Sequence, residues 1–209
     1  STGMNEISLM SDHTENDAEI LRALANGERS AFEALYRRHN TSMVRVASAI
    51  LRNHASGEEV AHETWIAVLR NINGFEGRSS LSGWIFTILS NRAKTRVRRD
   101  GRTVALDISD QENNADEAFD ARGSWKNLPD LWDEITPERV IAGRQIMEHV
   151  AQTIEDLPPA QRAVLVLRGQ QELEAQEVCE ILDITEGNMR ILLHRARRSV
   201  RNAIDAVAG

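Results

Sequence analysis

The most basic stretch of this sequence, GNMRILLHRARRSVR at residues 187–201, contains five arginines and one histidine, although the formal net charge of the chain is -7. At helical spacing, four of these cations share one edge, and further polar side chains lie beside them: Arg190, His194, Arg197 and Arg201, then Asn188, Arg195 and Arg198. Clustered guanidinium groups bind anionic oxygens through paired hydrogen bonds. The pattern predicts either an ordinary solvated basic face or a surface that binds a polyanion.

The residues before this stretch indicate which elements position it. AQEVCEIL at residues 175–182 has the apolar spacing of a short helix, and a two-residue turn separates it from Thr185, a good N-cap residue. The next helix carries an apolar stripe made of Met189, Leu192, Leu193, Ala196 and Val200. This pattern is typical of a helix-turn-helix, whose second helix enters the major groove of DNA. The N-terminal end of that helix, which meets base edges, would carry Glu186, Asn188 and Arg190. Asn and Arg can make bidentate contacts to bases, whereas the later arginines would bind phosphates.

A second basic stretch follows a group of aromatic and aliphatic residues in the first half of the chain. It comprises Arg92, Lys94, Arg96, Arg98, Arg99 and Arg102, directly after WIFTIL at residues 84–89. Aromatic rings beside cations suit single-stranded or melted nucleic acid, because bases stack on rings while the backbone is held electrostatically. Taken singly, Trp84 and Phe86 are better interpreted as core residues. Together, the two basic stretches favour a protein that binds DNA at two separate places.

Charge and periodicity divide the chain into segments. Residues 103–138 contain ten acidic residues against only Arg122 and Lys126, and no helical periodicity is found up to about residue 136. On both sides the apolar spacing is helical, and no strand alternation appears. We therefore expect an all-α protein with two small helical domains joined by a flexible acidic linker. The predicted segments are a tail at 1–16, a domain at 17–102, the linker at 103–136 and a helix-turn-helix domain at 137–209.

Local signals predict several helix boundaries. Asn26-Gly27 and a point near Asn40 are expected to interrupt the first helical region. A further helix is expected from about Gly57 to Asn71. Pro158-Pro159 marks another boundary, because proline is tolerated in the first helical turn but not inside a helix.

The composition is that of an ordinary soluble protein: 209 residues, 41% hydrophobic and 27% charged. No stretch is long and apolar enough to span a membrane, and no secretory signal pattern appears, so we expect a cytoplasmic protein. The chain has a single cysteine, Cys179, which excludes an internal disulfide. Its position among apolar residues of a predicted helix favours a packed thiol over a reactive one.

Four motifs, in this order and spacing, resemble a known family. They are NGERSAFEALYRRH at 26–39, EEVAHETWIAVLRNINGFEGRSSLSGWIFTILSNRAKTRVRR at 58–99, LPPAQRAVLVLR at 157–168 and AQEVCEILDITEGNMRILLHRARRSVR at 175–201. They are similar to bacterial extracytoplasmic-function (ECF) sigma factors, the smallest relatives of sigma-70. The likeness covers about residues 17–102, corresponding to sigma region 2, and 138–205, corresponding to region 4. It implies a factor that directs core RNA polymerase to specific promoters and melts the −10 element.

The resemblance also implies three functional surfaces. The docking surface, for the coiled coil of the polymerase β′ subunit, comprises Glu58, Glu59, His62, Glu63, Trp65 and Leu69, on a helix that also holds Val60 and Thr64. The −10 surface comprises Trp84, Asn91, Arg92, Arg96 and Arg98. The −35 surface comprises Asn188, Met189, Arg190, His194, Arg195 and Arg198. The implied partners are core polymerase through its β′ and β subunits, promoter DNA, and an anti-sigma factor of a membrane-anchored or other type. No cofactor, metal or small-molecule substrate is expected.

The sequence departs from the family pattern at three positions. The family usually has Gln at the position of His62, Asp at that of Thr95 and Gly at that of Asp183. The last change is tolerable, since Asp enters the left-handed backbone region more readily than most residues. The first two affect the fine detail of polymerase docking and of −10 geometry.

The acidic linker has a predicted role of its own. A flexible anionic segment can thread the cationic channel of polymerase that nascent RNA later occupies, a placement that the resemblance supports. Its aromatic residues, Phe119, Trp125 and Trp132, are unusual for a disordered segment. They would anchor the linker either to polymerase or to the chain's own domains.

Three other functions fit the sequence less well. HETWI at residues 62–66 begins like the zinc-protease motif HExxH, but Ile66 stands at the second ligand position, so that chelate does not form. A stand-alone helix-turn-helix regulator needs only the C-terminal domain and leaves the −10 surface unexplained. A purely protein-binding helical adaptor leaves both basic faces without a role.

Overall fold

The computed structural model describes residues 16–103 and 137–208, and these residues form helices, turns and short connections without any strand. The all-α prediction is therefore confirmed. Two compact units are separated between Val104 and Ala105. Nearly all of the predicted linker, including its three aromatic residues, lies at 104–136 and so outside the described residues, as does most of the predicted N-terminal tail.

The first unit contains four α-helices in its described part. They are α1 at residues 16–25, α2 at Arg29–Leu51, α3 at His54–Arg70 and α4 at Leu81–Arg99, with a 3-10 turn at Ile72–Gly74. Helices α2, α3 and α4 each pack against the other two. The expected break at Asn26-Gly27 is confirmed, and Gly27 there has a φ of 74°. This left-handed conformation suits glycine because it has no Cβ.

The expected break near Asn40 is wrong, because α2 runs through this position without interruption. Asparagine disfavours helix interiors when its side chain competes for nearby backbone groups. Here the Asn40 Oδ1 atom accepts a hydrogen bond from Trp65 Nε1 at 3.0 Å instead. A tertiary contact therefore removes the competition that the sequence pattern alone suggested.

Polar side chains define the starts of α3 and α4. Helix α3 begins at His54, earlier than expected, because Asn53 Oδ1 accepts a hydrogen bond from Ser56 N at 2.9 Å. Ser80 Oγ caps α4 by accepting from Gly83 N at 3.0 Å. The α1 residue Asp17 adds a second oxygen, which accepts from Leu81 N at 3.0 Å. A carboxylate suits this place, since the N-terminus of a helix carries a partial positive charge.

The core of the first unit lies between α2, α3 and α4. Its largest fully buried apolar side chains are Met43, Val46 and Leu51 of α2, Val60 and Val68 of α3, and Leu81, Ile85, Phe86 and Leu89 of α4. Gly57 allows α3 to approach α2 closely, because a Cβ at this position would lie 2.1 Å from Ser48 Oγ and 2.8 Å from Ser48 N. The packing of α3, which carries the predicted docking surface, therefore depends on this glycine.

The second unit is also helical throughout its described part. It comprises α5 at Pro137–Asp156, α6 at Pro159–Leu165, a π-helical turn at Val166–Gln170, α7 at Ala175–Leu182 and α8 at Glu186–Ala208. The predicted boundary at Pro158-Pro159 is confirmed, with Pro159 in the first turn of α6. Helix α8 packs against α5, α6 and α7, so its buried stripe is central to this unit.

The connection between α7 and α8 has the expected helix-turn-helix chemistry. Asp183 ends α7 in the left-handed region with a φ of 55°, the conformation proposed for it from the sequence. Thr185 Oγ1 then accepts a hydrogen bond from Asn188 N at 3.2 Å, as an N-cap residue does. The turn therefore delivers the N-terminal end of α8 in a defined orientation relative to α7.

Candidate protein-binding and nucleic-acid-binding surfaces

The outward face of α3 combines acidic and apolar side chains. Its exposed members are Glu58, Glu59, His62, Glu63, Ile66 and Leu69, whereas Val60 and Thr64 are buried. Ile66 and Leu69 remain 40% and 44% exposed, one helical turn apart. Adjacent exposed apolar residues that are surrounded by acidic side chains are suited to binding another protein. Sequence reasoning missed Ile66 as a surface residue, although its spacing from Leu69 was a usable signal.

Trp65 occupies a different place from the other predicted docking residues. Its side chain is only 4% exposed, and its ring lies 5.7 Å from that of Phe32 and 5.5 Å from that of Tyr36. With the indole N–H bonded to Asn40, Trp65 joins α3 to α2 beneath the surface. Tyr36 is the most exposed ring of this group, and sequence reasoning did not identify it.

Two ion pairs connect the docking surface with the −10 surface. Arg96 Nη2 of α4 lies 2.5 Å from Glu59 Oε2 of α3, and Arg92 Nη1 lies 3.9 Å from Glu63 Oε2. The hydrogen bond with Glu59 is the main reason that the pKa of Arg96 is raised above its ordinary value. Surfaces that the sequence suggested separately are therefore electrostatically adjacent in the fold. The sequence has no periodic signal for this pairing, because the partners are 37 positions apart.

The remaining −10 residues lie along the outer side of α4. Asn91, Arg92 and Arg98 are exposed. Trp84 is half-buried, two helical turns before Asn91, and its ring lies 5.3 Å from that of Phe75. Phe86 is fully buried, so the interpretation of this aromatic as a core residue is confirmed.

Thr95, one of the departures from the family pattern, is exposed on the same helix. Its Oγ1 donates a hydrogen bond to Asn91 O at 2.8 Å. The hydroxyl is therefore engaged with the backbone of its own helix, and it adds no charge at this position.

The outward face of α8 carries most of the −35 residues. Arg190 is exposed and its Nη2 lies 2.6 Å from Glu186 Oε1, while His194, Arg195 and Arg198 are half-buried. Met189 is only 3% exposed and belongs to the apolar stripe, which is buried at Met189, Leu192, Leu193 and Ala196. Sequence reasoning placed Met189 both in this stripe and on the −35 surface. Its burial places the side chain in the core beneath that surface.

Cys179 is partly buried on α7 and forms no disulfide. Burial, followed by the negative charges of Glu186 and Glu180, raises the pKa of its thiol. A thiol with a raised pKa is less reactive at neutral pH, in keeping with a packing role. Within the described ranges, no group of three or more His, Cys, Asp or Glu side chains is placed to hold a metal ion. Among the same residues, no helix has the length and apolar character needed to cross a bilayer.

A helix-turn-helix unit and a second helical unit with a cationic face define a helical protein suited to binding nucleic acid. The family descriptions "Sigma-70 region 2" and "Sigma-70, region 4" match the chain at residues 35–103 and 148–200, which contain the surfaces described above. The chain belongs to the sigma-70 family.

Two sequence relatives agree with this assignment. The chain is 28% identical over 190 residues to the ECF RNA polymerase sigma-E factor of Escherichia coli (strain K12), covering 90% of this chain and 94% of that protein. It is 25% identical to a probable RNA polymerase sigma factor of Haemophilus influenzae, covering 78% of this chain and 84% of the relative. Among solved structures, it is similar to the sigma factor RpoE of Bartonella quintana, crystallised with the anti-sigma factor NepR. In that case the TM-score is 0.47 and the identity 17%, covering 83% of this chain and 96% of that one.

Proposed function

We propose that this protein is an alternative sigma factor of the ECF type, which acts in the cytoplasm as an initiation factor rather than as an enzyme. It would bring core RNA polymerase to specific promoters and open the −10 element. The observation that carries this proposal is the presence of both sigma regions on one chain, in an alignment with an ECF factor that spans 90% of its length.

The decisive experiment is run-off transcription from a genomic promoter library with core polymerase, with and without the protein. We expect transcripts from a defined subset of promoters only when both components are present. A stand-alone regulator predicts a different result, because it would bind its sites tightly without polymerase. Tight, sequence-specific binding by the free chain, together with no promoter-specific transcription, would refute the sigma-factor proposal.

For the docking surface, the proposal assigns direct contact to the exposed residues on the outward face of α3, which are Glu58, Glu59, His62, Glu63, Ile66 and Leu69. Trp65 would support this surface from beneath, since it packs on Phe32. Replacing Leu69 with Ala should weaken binding to core polymerase in a pull-down or titration. Arg78→Ala, an exposed change in the connection before α4, is the matched control and should leave binding unchanged.

For DNA, the proposal assigns promoter melting to α4 and base reading to α8. Trp84 and Asn91 lie on one side of α4 with the exposed cations Arg92 and Arg98, and Arg96 lies beside them in its ion pair with Glu59. A partly exposed ring next to cations is suited to capture an unstacked base. On α8, Asn188 and Arg190 lie at the N-terminal end that meets base edges in this motif. His194, Arg195 and Arg198 would contact the DNA backbone, and Met189 would support the helix from the core.

Regulation by an anti-sigma protein is part of the proposal. Free in solution, the α3 surface exposes Ile66 and Leu69, and such a surface favours a masking partner. An inhibitor that covers α3 excludes core polymerase, so binding of the two is mutually exclusive. Charge reversal at Glu59, or replacement of Trp65, should weaken both interactions together. Recovery of a ternary complex of inhibitor, this protein and core polymerase from native cells would refute the occlusion mechanism.

A further inference from the structure

One apolar side chain stands in the middle of the cationic face of α8. Ile191 is 43% exposed, whereas Met189, Leu192 and Leu193 on the same helix are buried. By helical spacing Ile191 lies on the side opposite this buried stripe, one or two turns from Gly187, His194 and Arg198. The helix-turn-helix arrangement therefore directs Ile191 toward whatever the cationic face binds.

A single exposed isoleucine is common on protein surfaces and by itself indicates nothing. The position of Ile191 makes it informative. Arg190 precedes it, and Arg195 follows one turn later, so the surface around it is complementary to a phosphate backbone on both sides. A branched aliphatic side chain in such surroundings gains little from the phosphates themselves. It can gain from an apolar group at the floor of the groove.

The neighbouring residues do not block the side chain of Ile191 from reaching the floor of a groove. A Cβ at Gly187, the preceding residue on the same side of α8, would meet no atom of the described part of the chain within 4 Å. The Arg190 guanidinium is held at 2.6 Å by Glu186, one turn back along the helix. The side chain of Ile191 therefore projects beside a glycine and next to an arginine that is restrained by an acidic partner.

We propose that Ile191 contacts the C5-methyl group of a thymine in the major groove of the −35 element, and so selects a T·A pair at one position. The proposal rests on the proposed function of this helix. Among the four bases, only thymine presents a methyl group in the major groove, which makes an aliphatic contact a readable signal. Burial of one methyl group corresponds to about a fourfold change in affinity.

The test uses the complete holoenzyme, assembled from core polymerase and the full chain, on a promoter that it transcribes. Each −35 thymine is replaced in turn by uracil, which removes the methyl group and leaves the base-pairing atoms unchanged. Run-off transcription is measured at limiting holoenzyme for the wild type, Ile191→Ala, Ile191→Val and the control Val207→Ala. Val207 is also an exposed apolar residue of α8, but it lies near the other end of the helix.

We expect one thymine-to-uracil change to lower wild-type transcription by about fourfold, and to have no effect on Ile191→Ala. The same change should still lower transcription by Ile191→Val, which keeps a branched apolar side chain, and by the control Val207→Ala. Two results would overturn the inference. One is wild-type transcription that does not change with any thymine-to-uracil replacement, and the other is an equal loss of transcription for Ile191→Ala. Selected promoters without thymine in either strand of the −35 element would also overturn it. Absence of promoter-specific transcription altogether would instead refute the proposed function, and this inference with it.

Discussion

Replacement of Gly57 by Ala should destabilise the first unit, because this α3 residue packs directly against Ser48 of α2. The new Cβ would lie 2.1 Å from Ser48 Oγ, 2.8 Å from Ser48 N and 3.0 Å from Ser48 Cα. The hydroxyl can rotate, but the backbone atoms can move away only if the two helices separate. Overpacking of this kind costs about 1–3 kcal/mol. For a unit of this size, that corresponds to a melting temperature lower by roughly 4–24 °C.

Thermal unfolding of the full chain, followed by circular dichroism, measures this effect. Gly74→Ala is the matched control in the same unit, because a Cβ there would meet none of the described residues within 4 Å. Ser48→Ala should be tolerated, since Ser48 Oγ is buried and has no hydrogen-bond partner among the residues that the structure describes. Combined with Gly57→Ala, it should restore only part of the stability, because Ser48 N remains. An unchanged melting temperature for Gly57→Ala, or an equal loss for Gly74→Ala, would refute this account of the α2–α3 contact.

Further predictions concern single side chains. Arg190→Ala should relax discrimination at one −35 base pair by roughly 1–3 kcal/mol. Arg198→Ala should instead weaken binding to all promoters alike and lower the magnitude of the slope of log K against log salt concentration by about one. Binding titrations on promoter variants at several salt concentrations distinguish the two effects. A double-mutant cycle of Glu59→Gln and Arg96→Gln, measured by denaturation, should give a coupling of about 0.2–1 kcal/mol, because both side chains are partly exposed. Folding raises the pKa of the Cys179 thiol. The stabilisation that this thiol contributes should therefore be complete at pH values below its pKa in the unfolded chain, and should be lost as the pH rises through its pKa in the folded chain. Alkylation of Cys179 should also be slow until the chain unfolds.

Local patterns in the sequence were sufficient for the helical class and for the helix-turn-helix. The stripe from Met189 to Ala196, the left-handed Asp183 and the N-cap Thr185 all involve neighbours within a few positions. Periodicity and capping depend on such short separations, so they can be deduced from the chain alone. The family resemblance extended this reading to the three surfaces, because motif order and spacing are also properties of the sequence.

Tertiary packing decided what local patterns left open. The continuity of α2 through Asn40 depends on Trp65, a hydrogen-bond partner 25 positions away. Trp65 is a supporting core residue rather than an exposed one because Phe32 and Tyr36 pack against it. The pairing of Glu59 with Arg96 likewise requires α3 to lie beside α4. The sequence by itself determined most of the helices and which residues carry charge. Only the packed structure decided which of them remain exposed to a partner, because burial depends on contacts between residues far apart in the chain.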